Sequence, residues 1–269
     1  MILCDSHLHS SFSSDSSEEA RKVIEKAIGL GMPFITFTDH NDFDWPIEDG
    51  HQDFQLDFDS YLSTMKDLKE TYKDKIEILI GLEQGLIESR IDDIENYDKN
   101  NDLDFIIGSM HLLAGQDPYY PEFWQGKSCK STLQAYFSSS LEIAKNIHNF
   151  DVFGHIDYIA RYIPDKSFVY KWQDYYDQIK DLLMTLIESG KGIEINSSGL
   201  KYKMPDTNPC LDIVKLYRKL GGEIITIGSD AHKAEHIAYR FDRSAEILDL
   251  CGFKYYTRFV KRKAEFIKI

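Results

Sequence analysis

The sequence predicts an α/β fold, a distorted (β/α)7 TIM-like barrel with its active site at the C-terminal ends of the strands. Three observations carry that expectation. Short apolar runs rich in β-branched and aromatic residues alternate with longer amphipathic stretches along nearly the whole chain, the rhythm of parallel strands joined by crossover helices. Seven such runs occur, which suits a barrel better than an open sheet. Histidines and carboxylates recur where the runs end, and barrels gather their active-site loops at that end. With 269 residues and 42% hydrophobic content, one barrel domain over residues 1–269 is expected.

The first run, "ILCDSHLH" (2–9), leads through the polar turn "SSFSSD" (10–15) into a helix. Ala20, Val23, Ile24, Ala27 and Ile28 give that helix one apolar face. Ser16 with Glu19 makes a capping box, and Gly31 followed by Pro33 supplies a stop. "FITFTDH" (34–40), "IEILIGLEQG" (76–85), "DFIIGSMH" (104–111), "DVFGHID" (151–157), "GIEINSSG" (192–199) and "EIITIGSDAH" (223–232) follow as strands. Between them, Ile179, Leu182, Leu183, Leu186 and Ile187 repeat the helical spacing, and Leu133, Phe137, Leu141 and Ala144 do so more loosely. Two insertions rich in aromatics, Pro and Gly (41–59 and 112–131) follow the second and fourth strands and are expected to act as substrate lids. The last segment, "FKYYTRFVKRKAEFIKI" (253–269), is expected to add a short strand and a tail helix.

Composition narrows the function classes. A net charge of −14 argues against a nucleic-acid scaffold, which would carry a basic face. The four cysteines are scattered without a C-x-x-C pair, so reduced thiols are expected rather than a disulfide framework. No apolar run approaches the ~18 residues of a membrane span, and the N-terminus lacks a signal-peptide profile. A soluble, cytoplasmic protein is expected.

The strand ends hold the chemistry. His7 and His9 close the first strand, Asp39 and His40 the second, Glu83 the third, His111 the fourth, His155 the fifth, and Asp230 with His232 the seventh. Residues at i and i+2 of a strand share a face, so His7 aims with His9 and Asp230 with His232. One His-x-His pair would be explained as well by a hydrogen-bonded core. The whole series at successive strand ends is not, because imidazoles and carboxylates converging on one rim pack poorly without divalent metals, and Zn, Mn or Fe suit such a donor set.

That order of motifs, "HLH" (7–9), "TDH" (38–40), "GLE" (81–83), "GSMH" (108–111) and "GSDAH" (228–232), resembles the polymerase and histidinol phosphatase superfamily of trinuclear metal phosphoesterases. "FDVFGHIDYIARY" (150–162) and the chain length are most similar to its monofunctional histidinol-phosphate phosphatases. The resemblance implies three divalent ions (Zn, Mn or Fe). One would be held by His7, His9, Glu83 and Asp230, a second by Glu83, His111 and His155, and a third by Asp15, His40 and His232. In one version of the pattern a histidine aligns with Asp15; an oxygen ligand there makes the third site harder and favours Mn or Fe.

The implied reaction is hydrolysis of L-histidinol phosphate by attack of a metal-bridging hydroxide, with no covalent protein nucleophile. Glu83 and His232 would serve it through the metals. Arg161, just past the fifth strand, is the expected phosphate ligand, with Arg90 and Lys201 as further candidates. Asp42 could protonate the leaving oxygen or bind the substrate amine, and Glu122 and Trp124 could line the substrate side. The competing substrates within the superfamily are nucleotide and phosphotyrosine esters; a metal-stabilised binding module is the non-catalytic alternative. The expected partner is a small-molecule phosphate monoester, with neither nucleic acid nor membrane.

Overall fold

Parallel strands and crossover helices alternate through the computed structural model, which describes residues 4–46, 54–98 and 102–269. In chain order come β1 (Cys4–Leu8), α1 (Ala20–Gly29), β2 (Phe34–Phe37), β3 (His40–Asn41), α2 (Phe58–Tyr72), β4 (Glu77–Gly85) and α3 (Ile91–Glu95). Then follow β5 (Phe105–Ser109), α4 (Cys129–Asn146), β6 (Val152–Phe153), α5 (Tyr176–Glu188), β7 (Gly192–Asn196), α6 (Ser198–Lys201), α7 (Leu211–Lys219), β8 (Ile225–Gly228) and α8 (Phe241–Leu250). A hairpin of β9 (Tyr255–Val260) and β10 (Lys263–Lys268) ends the chain.

The strands pair in parallel in the order β1-β2-β4-β5-β6-β7-β8, and β3 pairs with β4. The two ends of this sheet meet: Leu8 bridges Ala231 in parallel, Asp230 N–H donates to His7 O over 3.0 Å, and His9 N–H donates to Ala231 O over 3.0 Å. The result is the nearly closed seven-stranded barrel that the rhythm predicts. Strands β1, β2, β5, β7 and β8 are buried along their whole length, as a parallel sheet covered on both faces requires. The helices supply that cover with the expected stripes, for example Ile179, Leu182, Leu183 and Leu186 of α5.

One break in the sheet matters for the site. The ladder of β2 with β4 is interrupted after Phe37 and resumes at His40 in the same register, so Thr38 and Asp39 sit at the rim outside regular pairing, with Asp39 O still accepting Glu83 N–H over 3.1 Å. Tyr61 of α2 fills the break: its hydroxyl donates to Gly81 O over 2.8 Å, with Phe37 O at 3.3 Å. Gly81 is needed there, because a Cβ would meet the carbonyl oxygens of Phe105 and Phe37 at 2.9 Å.

Three local expectations are corrected. The Ser16–Glu19 capping box does not form, since Glu19 caps α1 without a side-chain bond. Ser16 instead donates to His232 O, tying the first turn to the loop after β8. The C-terminal segment is a hairpin, not a strand and helix. Lys261 and Arg262 adopt left-handed φ of 49° and 61°, the two-residue turn that suits the twist of a hairpin. Its apolar face has a partner, since Phe259 stacks on Phe105 at 5.1 Å. The turn is held by Lys261 N–H to Asp104 Oδ1 (3.1 Å) and Arg262 Nε to Asp151 Oδ2 (2.6 Å), so the hairpin covers the N-terminal mouth of the barrel. Third, both insertions run into helices: α2 begins at Phe58 with Asp57 as its cap, and α4 begins at Cys129. Residues 47–53 of the first insertion lie outside the described residues.

All four cysteines are free of disulfides. Among the described residues, no helix is long and apolar enough to cross a membrane.

Candidate metal centre

The C-terminal ends of the strands form the floor of a cleft of about 440 Å³. Asp39 builds one side of it. Its carboxylate accepts Ser10 N–H (2.7 Å), Ser13 N–H (3.0 Å) and the hydroxyls of Ser13 (2.7 Å) and Ser10 (3.0 Å), folding the serine turn back over the rim. The Ser13 proton is therefore spent on Asp39. His9 Nδ1, 2.9 Å from Ser13 Oγ, must donate to it, which leaves Nε2 as a lone pair facing the cleft.

The same logic fixes three more rings. His7 Nδ1 donates to Glu194 Oε1 (2.6 Å), His111 Nδ1 to Asp42 Oδ1 (2.7 Å) and His232 Nδ1 to the carbonyl of Asp230 (3.1 Å). Each of these partners only accepts, so Nδ1–H is held outward and Nε2 is the atom that each ring presents on its other side. An outer N–H held by an oxygen is how a metal-ligating histidine is oriented.

Glu83 lies at the centre, fully buried. Its Oε1 is 2.9 Å from His155 Nε2 and 3.2 Å from His111 Nε2; its Oε2 is 3.1 Å from His7 Nε2, 3.1 Å from His40 Nδ1 and 3.5 Å from His9 Nε2. Asp230 Oδ1 lies 3.5 Å from His9 Nε2, and Asp15 Oδ2 lies 3.0 Å from His232 Nε2 and 3.8 Å from His40 Nε2. Yet His7 Nε2, His9 Nε2, His40 Nδ1, His232 Nε2 and Glu83 Oε2 are buried without any hydrogen bond. Close approach without hydrogen-bond geometry means that these atoms aim at shared points, not at one another. Unpaired buried polar atoms are costly, and a bound cation would satisfy them. Among the described residues, three groups could hold an ion: His7, His9 and Asp230; His40, Glu83 and His111; and His9, His40 and His232. His40 belongs to two of these groups, offering Nδ1 toward Glu83 and Nε2 toward Asp15.

Electrostatics agree with that fit. Burial opposes ionisation of Glu83, but His7, His40 and His111 hold its carboxyl well below the usual range. Asp230 is likewise held well below by His7, His9 and Arg161, against burial. Burial also opposes charge on His7, yet Glu194, Glu83 and Asp230 push it well above its ordinary value. His9, buried beside His232 and His40, is held well below. Asp230 sits at a left-handed φ of 55°, a strained backbone of the sort that accumulates at functional sites.

Around this floor, Arg161 lines the cleft with its side chain buried; Tyr158, Tyr162 and Tyr202 form one wall, and Trp45 and Phe54 of the first insertion another. The expected substrate residues are placed unevenly. Lys201 is half-buried near the cleft, where burial lowers its ammonium and Asp230 and Asp15 act on it. Arg90 lies on the surface, its fork engaged by Asp44 (Nε 2.8 Å), and is not among the cleft-lining residues. Glu122 is exposed, and Trp124 is buried with its indole N–H on Pro118 O (2.8 Å); from the same insertion, Asp117, Tyr119 and Tyr120 line the cleft instead. Asp42 is buried against His111 Nδ1 and lies 3.5 Å from His40 Nδ1, so it orients imidazoles.

Residues that the sequence reading did not single out complete the site: Glu194, Asn196 and Asn208. The first two carried a signal. In "GIEINSSG" they are polar residues at i and i+2 of a buried strand, hence on the same face.

Residues 5–198 match the PHP domain model. The chain belongs to the PHP domain family. Among PHP relatives, the histidinol-phosphatase of Lactococcus lactis is 33% identical over 93% of this chain and 91% of its own. That of Bacillus subtilis is 26% identical over 90% and 98%. A crystal structure of the Lactococcus lactis histidinol phosphate phosphatase, complexed with zinc, L-histidinol and phosphate, matches with a TM-score of 0.89 at 30% identity, covering 98% of both chains. A solved structure from Listeria monocytogenes matches with a TM-score of 0.75 at 19% identity over 89% of this chain and 98% of that one, a likeness of fold.

Proposed function

We propose that this PHP chain is a metal-dependent phosphoric monoester hydrolase that converts L-histidinol phosphate to L-histidinol and phosphate. The observation that carries the reading is Glu83, buried at the centre with one oxygen toward His111 and His155 and the other toward His7, His9 and His40, while Arg161 lies against the same cleft. The Lactococcus lactis relative, whose crystal structure holds zinc, L-histidinol and phosphate, supports the choice of substrate.

His7, His9, Glu83 and Asp230 would hold one ion, Glu83, His111 and His155 a second, and Asp15, His40 and His232 a third. Divalent ions held there would supply Lewis acidity and would lower the pKa of water toward neutrality. The chain's own residues do the rest. Arg161 offers a permanent positive charge and planar N–H groups to phosphate oxygens. Tyr158, Tyr162 and Tyr202 on one side, with Trp45 and Phe54 on the other, give the substrate imidazole aromatic surfaces to stack on. Asp42 and Glu194 act through His111 and His7, whose rings they orient.

The test is a substrate panel with the metal-loaded protein. Histidinol phosphate is expected to be hydrolysed at least about a hundredfold more efficiently, in kcat/KM, than adenosine monophosphate or phosphotyrosine, since a site that pairs polar groups of one substrate rejects analogues lacking them. The opposite ranking overturns the choice of substrate. Elemental analysis is expected to give close to three divalent ions per chain, and one ion or none overturns the assignment of ligands.

A further inference from the structure

Two asparagines grip Arg161, and we propose that they, Asn208 above all, are positioning residues that aim its guanidinium at the substrate's phosphate. The inference rests on the reading of Arg161 as a phosphate ligand.

Arg161 Nε donates to Asn208 Oδ1 over 2.8 Å, Nη2 to Asn196 Oδ1 over 3.1 Å, and Nη1 to Asp230 Oδ2 over 3.3 Å. A guanidinium has five N–H groups; these three bonds leave two for a ligand in the cleft that Arg161 lines. Its plane is set as well, since Cζ lies 5.3 Å from the Tyr158 ring and 5.2 Å from the Tyr202 ring. Asn208 is fully buried and is not among the cleft-lining residues, so it acts only through Arg161.

The asparagines can accept from Arg161 because their amide nitrogens are committed elsewhere. Asn208 Nδ2 donates to Asp157 Oδ1 over 2.6 Å, and Asn196 Nδ2 donates to Glu194 Oε2 over 3.1 Å. A flipped amide would set NH2 against the guanidinium and its oxygen against a carboxylate, so each orientation is forced. The two backbones also exchange hydrogen bonds, each N–H to the other's carbonyl over 2.9 Å. Gly199 leaves the space: a Cβ there would lie 2.6 Å from Asn208 Oδ1.

The choice of amide has an electrostatic consequence. A carboxylate at either position would hold Arg161 equally well but would cancel its charge. Asp230, itself an expected metal ligand, is the one carboxylate on the fork; the two amides fix the rest of it without a further negative charge, leaving charge for a phosphate dianion. Asp157 and Glu194 stay one residue further out, where they orient the amides.

The experiment uses the full-length, metal-loaded protein and reads the Ki of inorganic phosphate, the KM and kcat for histidinol phosphate, metal content and Tm. Asn208→Ala is expected to raise the phosphate Ki and the KM about tenfold, the size of one charge-assisted hydrogen bond, with metal content unchanged. Asn208→Asp, nearly identical in shape, is expected to raise the phosphate Ki too, by placing a carboxylate on the guanidinium. In an Arg161→Ala background, Asn208→Ala is expected to add nothing. A folded Asn208→Ala protein with unchanged phosphate Ki, or an effect that adds in full to that of Arg161→Ala, overturns the proposal. Where Asn208→Ala fails to fold, an unchanged Ki in Asn208→Asp overturns it. If Arg161→Ala itself leaves phosphate binding unchanged, the reading of Arg161 fails and this inference with it. If Arg161→Ala weakens phosphate and the Asn208 variants do not, only the positioning role fails.

Discussion

Replacing Glu194 by glutamine turns one carboxylate oxygen into an NH2 group with almost no change in size. Both oxygens are in use. Oε1 accepts from His7 Nδ1 over 2.6 Å, and Oε2 accepts from the His155 N–H and Asn196 Nδ2, each over 3.1 Å. All three partners are donors, so whichever way the new amide sits, its NH2 meets an N–H. If it faces His7, that ring must move its proton to Nε2, the atom that lies 3.1 Å from Glu83 Oε2 and would ligate metal. If it faces the other way, two buried donors lose their acceptor. One unsatisfied buried donor costs about 1–3 kcal/mol, which corresponds to about 5- to 150-fold in an equilibrium constant. Loss of an outer partner of a metal-bound histidine typically costs ~10–100-fold in affinity. Glu194→Gln is therefore expected to bind its metals about 10–100-fold more weakly, measured by competition with a chelator, with a changed His7 tautomer in nitrogen NMR. A variant with wild-type affinity and an unchanged tautomer refutes the argument.

Arg90→Ala is expected to keep kcat/KM within about twofold of wild type, as surface changes away from a site usually do; a larger loss would place Arg90 over the substrate after all. Arg262→Ala removes the 2.6 Å bond to Asp151 and a 3.0 Å bond to Asn149, leaving a buried carboxylate less well paired. A cost of about 1–3 kcal/mol would lower Tm by about 2–10 °C in calorimetry, with activity at low temperature retained; an unchanged Tm would remove the hairpin from the list of stabilising elements. Metal loading is expected to release protons at pH 7. Carboxylate neighbours push His7 and His111 well above the ordinary imidazole range despite their burial, so before loading these rings carry protons that a ligand must give up. Affinity then rises with pH until both rings are neutral. Calorimetric titration in buffers of different ionisation enthalpy reads the release directly, and none at pH 7 contradicts the assignment.

The legible parts of this molecule were those governed by strand period. His7 and His9 stand at i and i+2 at the end of an apolar run, so their shared direction follows from strand period; the same reading of Asp230 and His232 is corrected, because β8 ends at Gly228 and the left-handed φ of Asp230 sets the aim of its carboxylate. Loop residues obey no such rule. Residue type and nearness to a strand end single out Arg90, Glu122 and Trp124, yet none of the three lines the cleft. In the tail, "KRKAEF" suits a helix by composition, whereas two left-handed residues and the Phe259–Phe105 contact select a hairpin. Asn208 carries no sequence signal, because its role comes from Asp157 and Arg161, which the segment after β6 brings to it.

Barrel closure and assembly of the site are one event. The seam between β1 and β8 is made by His7 O with Asp230 N–H, by His9 N–H with Ala231 O, and by Asp5, whose buried carboxylate accepts Ser229 N–H (2.9 Å) and Ala238 N–H (2.9 Å). The bonds that join the sheet's ends thus belong to residues at or beside the predicted ligands. Asp230 adopts its strained φ where β8 leaves the sheet, and that turn sets its carboxylate between His9 on one side and Arg161 on the other. Without the seam, the histidine pair of β1 and the aspartate of β8 would lie on opposite edges of an open sheet. Burial of imidazoles and carboxylates works against closing it, and hydrogen bonds of the seam work for it. A cation drawn to the carboxylates would add to the closing side, and fold stability and metal occupancy would then belong to one equilibrium.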